Sequence, residues 1–132
     1  MTSSTREKYL KLSLTAFGAI FFLIYPLGVI WPSGWVWHGG EGAYYLQMIC
    51  GVYAVLGAYL IMAARNPSEH RSLIGFTIWS SVVHAGIMAA QALGDGHEIG
   101  HLIGDVPALL LVAGVLWFFS PKEAGSEVAA AR

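Results

Sequence analysis

Charge is what this sequence has least of. Asp, Glu, Lys and Arg make up 11% of its 132 residues, where soluble domains carry about 25%. A soluble chain this short has much surface for its volume and needs polar side chains to cover it. The shortage therefore excludes a soluble globular enzyme and a disordered segment. A basic excess is also missing: the net charge is −1, so no field draws nucleic acid. Cysteine occurs once, at Cys50, which excludes an internal disulfide and a thiolate zinc cluster. What the chain has in abundance is apolar residues, 56% of the total. Its length fits a single domain, and the composition points to an integral membrane protein.

About 20 apolar residues cross a bilayer as a helix. Four stretches meet or approach that length, at about 12–31, 44–64, 72–93 and 98–119. Turn chemistry separates them: Trp31-Pro32-Ser33-Gly34, Arg65-Asn66-Pro67-Ser68 and Leu93-Gly94-Asp95-Gly96. No stretch alternates strictly, so a β-barrel is not expected. The predicted fold is all-α: an integral membrane four-helix bundle, up-down-up-down, with a mobile tail over 120–132. All cations fall on one side: Arg6, Lys8 and Lys11, then Arg65 and Arg71, then Lys122 and Arg132. The positive-inside rule puts both termini in the cytoplasm. The first span is too long for a signal peptide and lacks a small-residue cleavage site, so it is read as retained. Trp31, Trp35 and Trp37 are expected at the outer headgroup level, with the 32–42 loop lying on that leaflet. Trp79, within the third span, is expected to pack.

Polar groups inside a span need partners and so face the bundle interior. In the third span Thr77, Ser81, His84, Met88 and Gln91 recur at steps of four, three, four and three, forming one helical stripe. A hydrogen-bonded seam between helices explains Thr77, Ser81 and Gln91. His84 lies roughly 14 Å below Leu93 at 1.5 Å per residue, deep enough to be a functional candidate. The plainer alternative is a neutral imidazole bonded to a carbonyl.

The fourth span opens on Gly96-His97-Glu98-Ile99-Gly100-His101-Leu102-Ile103-Gly104-Asp105. On an α-helix Glu98, His101 and Asp105 share a face, and His97 and His101 stand four apart, as two imidazoles on one ion do. Imidazole with carboxylate suits zinc, iron, manganese or copper. Glu41, Asp95, Glu98 and Asp105 give the outer side negative charge, with only His38, His97 and His101 beside it. Glu41 and Asp95 are read as solvated acids at helix starts. His97-Glu98-x-x-His101 also matches the zinc-hydrolase pattern, although four short helices offer little cleft. Gly96, Gly100, Gly104 and Ala108 repeat every fourth residue, as do the small residues of a helix-packing seam. Gln47, Gly51, Ala54 and Ala58 form a similar seam in the second span. Pro107 leaves two alternatives: a long helix kinked there, which is favoured, or a helix starting at Val106 with Asp105 as its cap and a re-entrant 97–104 segment. The second would rise only about 21 Å, short of the roughly 30 Å core.

Three segments resemble a family of small bacterial membrane proteins grouped as a domain of unknown function. They are Arg65-Asn66-Pro67-Ser68-Glu69-His70-Arg71-Ser72-Leu73, Trp79-Ser80-Ser81-Val82-Val83-His84, and His101-Leu102-Ile103-Gly104-Asp105-Val106-Pro107-Ala108-Leu109. The resemblance runs from about Lys8 to Phe119. It implies a four-span bacterial membrane protein and carries no activity; the expected location is the bacterial inner membrane. His97-Glu98 is not part of the pattern, which leaves His84, His101 and Asp105 as the better core.

The leading functional expectation is a metal site near the outer side of the bundle. His84 and His101 are its ligands, Asp105 a ligand or a support behind them, and His97, Glu98 and Met88 secondary candidates. Four alternatives stand beside it. The chain is an accessory or scaffold subunit, bound to other membrane subunits or to a second copy of itself. It holds haem between His84 and His101. It is a hydrolase of the His-Glu-x-x-His kind. Or it transfers protons on a lipid-soluble substrate without metal. The expected partner in every case is the lipid bilayer, and none involves nucleic acid.

Overall fold

The computed structural model describes residues 2–30 and 43–120, apart from the side chains of Ala43 and Glu98. Among the described residues every regular element is helical. Helix α1 is Ser3–Ile30, α2 is Ala43–Ala63, α3 is Arg71–Gly94 and α4 is Asp105–Phe119. Short 3-10 helices precede α3 (Pro67–His70) and α4 (Gly96–Leu102). Among the described residues four helical stretches are long and apolar enough to cross a membrane, the fourth being Ile99–Phe119, which makes this a small multi-pass membrane protein. The Trp31, Trp35 and Trp37 belt, His38, Glu41, Lys122, Arg132 and the expected mobile tail lie outside the described residues.

Helix α1 begins nine residues before the expected span, because Ser3 to Lys11 continue the same α-helix. Glu7 and Lys11, four apart, pair on its exposed face at 2.7 Å. Pro26 lies inside α1 without ending it. Helix α1 packs chiefly on α2, α3 chiefly on α4, and α1 also touches α4. One apolar cluster joins all four helices: Leu10, Leu14 and Phe21 of α1, Leu60 and Ala63 of α2, Ile74 of α3, and Val112 and Leu116 of α4. At the same end Arg6 ties the start of α1 to the finish of α4. Its guanidinium donates to the carbonyls of Phe119 (3.3 Å) and Phe118. A cation at a helix C-terminus is favoured by the dipole, and Tyr9 stacks on Phe119 beside it at 5.5 Å. Arg6, Lys8, Lys11, Arg65 and Arg71 therefore gather at one end of the bundle, as their sequence positions implied.

The close approach of α1 and α2 rests on Gly18 and Gly57. A Cβ on Gly18 would lie 2.7 Å from the Gly57 carbonyl oxygen, and one on Gly57 would lie 2.6 Å from the Phe22 nitrogen. Only a residue without a side chain fits there. The seams expected from sequence do not carry this packing. Gly51, Gly96 and Ala108 are exposed, and a Cβ on Gly51 or Gly96 would meet nothing within 4 Å. Trp79, expected to pack, is 69% exposed, as an indole facing lipid would be.

The fourth span differs from the favoured single kinked helix. Residues 96–102 are 3-10, the turn is made at 103–104, and α4 starts at Asp105. Two features account for it. Gly100 accepts from both Ile103 (3.2 Å) and Gly104 (3.1 Å), and Pro107 has no N–H to continue the ladder back to Ile103. The α4 helix of 15 residues rises only about 22 Å. The 3-10 segment ahead of it supplies the length that α4 alone lacks.

Candidate functional site

Helix α3 buries Thr77 and Ser81 and leaves His84 and Met88 half-buried, whereas Gln91 is exposed. The expected stripe thus holds for its first four members. Its steps average 3.5 residues, so it drifts about 20° per seven residues on a straight helix. Gln91 is carried off the interface, and Ala85 and Ala92 are buried instead. Thr77 does not form a seam with another helix. Its hydroxyl donates to the Leu73 carbonyl of its own helix at 2.9 Å. Met88 packs against an apolar cluster of Ala85, Val106 and Leu109.

His84 meets a partner from another helix. The Tyr53 hydroxyl of α2 and His84 Nδ1 of α3 are 2.5 Å apart. The edge of one ring faces the other for Phe21 of α1 and Tyr53, with centroids at 5.1 Å, which fixes the phenol between α1 and α3. The second pair is built by the break before α4. His101 lies in the last turn of the 3-10 helix and Asp105 opens α4, with His101 Nδ1 2.5 Å from Asp105 Oδ2. Their side chains are 16% and 29% exposed. Asp105 is therefore not the N-cap of α4: no side-chain cap bond closes that helix, and the carboxylate is held by imidazole. The two pairs share one neighbourhood. Asp105 interacts electrostatically with both Tyr53 and His84, and His101 with His84.

His97 does not join them. It is exposed, and its backbone N–H donates to Asp95 Oδ1 at 2.9 Å, so Asp95 caps the 3-10 turn, consistent with an acid at a helix start. The 3-10 winding gives the physical reason. With three residues per turn, positions four apart do not eclipse, so His97 and His101 do not present one zinc-hydrolase face. The Glu98 side chain lies outside the described residues. Among the described residues no three His, Cys, Asp or Glu side chains gather as one ion would need. His101 and Asp105 are hydrogen-bonded to each other and His84 to Tyr53, with electrostatic interaction between the two pairs.

Tyr53 is the member that sequence reasoning missed. A signal was present: tyrosine prefers the membrane–water interface, whereas Tyr53 sits mid-helix in an apolar span, where its hydroxyl needs a partner.

The sequence matches a family model over residues 4–127, described as a family of unknown function, DUF6632. The chain belongs to this family. Membership of DUF6632 agrees with the resemblance read from the His84 and His101–Asp105 segments and brings no activity with it. No curated protein and no solved structure matches the chain.

Proposed function

We propose that this membrane protein carries out general acid–base proton transfer on a lipid-soluble carbonyl compound that enters the bundle from the bilayer. The observation that carries this reading is the pairing of His101 with Asp105 beside the pairing of Tyr53 with His84. An Asp that accepts from Nδ1–H fixes the imidazole tautomer, so that Nε2 is the basic nitrogen. His101 then takes a proton from carbon next to the carbonyl. The electron pair moves to the carbonyl oxygen. With His84 Nδ1–H donating to the phenol oxygen, the Tyr53 O–H donates to that developing oxyanion. His101 returns the proton, at the same carbon or its vinylogue, so no oxidant or reductant is needed. Half-burial of all four side chains suits a site that is shielded from water yet open to a ligand.

A mixture of lipids can serve as the substrate pool in the test. Protein in nanodiscs is incubated in heavy water with a bacterial lipid extract, and carbon-bound deuterium is read by mass spectrometry. The expected result is one labelled component with the native chain, little or no label with His101→Ala, and no effect of chelator. Identical isotope patterns with and without protein would sink the proposal.

A second reading rests on the same geometry. In both histidines Nδ1 is taken by an oxygen partner, the arrangement that orients imidazoles toward a metal through Nε2. His84 and His101 would then be two of the ligands of a transition-metal ion, with Tyr53 and Asp105 as the partners behind them. It predicts near-stoichiometric zinc, copper, iron or manganese in purified protein, lost in both His84→Ala and His101→Ala. Metal-free protein with full deuterium-exchange activity would eliminate it.

A further inference from the structure

At the opposite end of the bundle a groove of about 430 Å³ opens between the start of α3 and the finish of α4. Its outer lip carries Arg71, Ser72 and Ser120, and its deeper wall carries Ile74, Ile78 and Trp117. The Ser120 hydroxyl donates to the Leu116 carbonyl at 2.6 Å, and Arg71 and Ser72 are the other polar side chains at the lip. Arg offers five N–H donors in a fork that fits phosphate, even when it holds other partners. Trp117 is 72% exposed and lies near the end of its span, the depth where indoles meet headgroups. The surrounding field has one sign. Among the described residues this end holds Arg6, Lys8, Lys11, Arg65 and Arg71 against Glu7 and Glu69, and Glu7 is paired with Lys11.

We propose that this groove seats an anionic phospholipid. Its phosphate lies at Arg71 and Ser72, and one acyl chain runs along Ile74, Ile78 and Trp117. A polar lip continuous with an apolar wall at the end of a membrane span matches a lipid along its length, whereas a free anion would use the lip alone. Cations at this end attract an acidic headgroup, and a zwitterionic lipid gains no such attraction. The site is remote from the acid–base pairs and does not depend on them.

Quenching of tryptophan fluorescence by brominated lipids tests this in detergent solution. Brominated phosphatidylglycerol is compared with brominated phosphatidylcholine on the native chain, W117F, R71Q and R65Q. The native chain should favour phosphatidylglycerol. W117F should lose the phosphatidylglycerol-preferring part of the quenching, while the lipid-facing Trp79 is still quenched by both lipids. R71Q should lower the preference about fivefold, the worth of one basic side chain at an acidic membrane. R65Q, which removes a cation of the same end outside the groove, should lower it clearly less than R71Q. Excess inorganic phosphate should leave the quenching unchanged. Equal quenching by both lipids, equal loss in R71Q and R65Q, an unchanged signal in W117F, or displacement by phosphate would each overturn the proposal.

Discussion

Gly57→Val is expected to lose most of the folded population that the native chain shows in the same detergent. Within a bilayer, burying apolar surface drives helix association weakly, because lipid tails are as apolar as leucine. Close packing has to hold α1 against α2, and the contact runs through backbone atoms. A Cβ at position 57 would lie 2.6 Å from the Phe22 nitrogen. A backbone atom cannot swing away as a flexible side chain can, so the helices must separate along their length. Overpacking typically costs about 1–3 kcal/mol, and the branched valine falls at or beyond the upper end. The loss reaches past the hairpin, because Phe21 beside this contact also holds Tyr53. Gly51→Ala on the same helix is the control. A Cβ there meets nothing within 4 Å, and its effect should stay within about 0.5 kcal/mol. Thermal unfolding followed by circular dichroism reads both. Equal midpoints for Gly57→Val and the native chain would show that the helices do not approach as described.

Asp105→Asn should lower the proposed proton-transfer rate by on the order of 10²–10⁴, the range of a positioned acid–base group. The substitution keeps the shape of the side chain. It removes the charge that stabilises an imidazolium and one of the two oxygens able to accept from Nδ1–H. An amide can also present its NH₂ to Nδ1, which favours the opposite tautomer and takes the basic lone pair away from Nε2. Stability should change far less than rate, since the half-buried pair still has a hydrogen-bonding partner. Deuterium incorporation and thermal unfolding measured on one preparation separate the two effects. A large drop in unfolding midpoint with a proportionate loss of rate would mean that Asp105 serves the fold alone.

The fold was legible because the bilayer imposes a coarse, one-dimensional constraint. Runs of apolar residues, turn residues between them and cations confined to alternate connections are all properties of the linear chain. Contacts between helices were less legible. The Gly96–Ala108 repeat advertised a packing seam, yet Gly96, Gly104 and Ala108 are exposed, whereas Gly18 and Gly57 are far apart in sequence and belong to no conspicuous repeat. Which small residue meets which depends on how two helices cross, and no single-helix pattern carries that. The candidate site divides in the same way. His101 and Asp105 are close in sequence, and their spacing already suggested a pair. The expected helical face for them was replaced by a 3-10 turn and a break, with the pairing preserved. Tyr53 and His84 are 31 residues apart on helices not adjacent in the main packing pairs, so only the folded bundle joins them. His97-Glu98-x-x-His101 shows the converse: a motif defined on an α-helix loses its meaning when its backbone winds at three residues per turn.

Imidazole ¹⁵N magnetic resonance on the protein in bilayers, with Tyr53→Phe, Asp105→Asn and a chelator-treated sample alongside, tests the central claim most directly. The two hydrogen-bonded pairs should act as one site. His101 should carry its proton on Nδ1 in the native chain, each substitution should move the signals of both His84 and His101, and chelator should move neither. Two independent responses, with Tyr53→Phe touching only His84 and Asp105→Asn only His101, would contradict a joint acid–base site and leave two separate structural bonds.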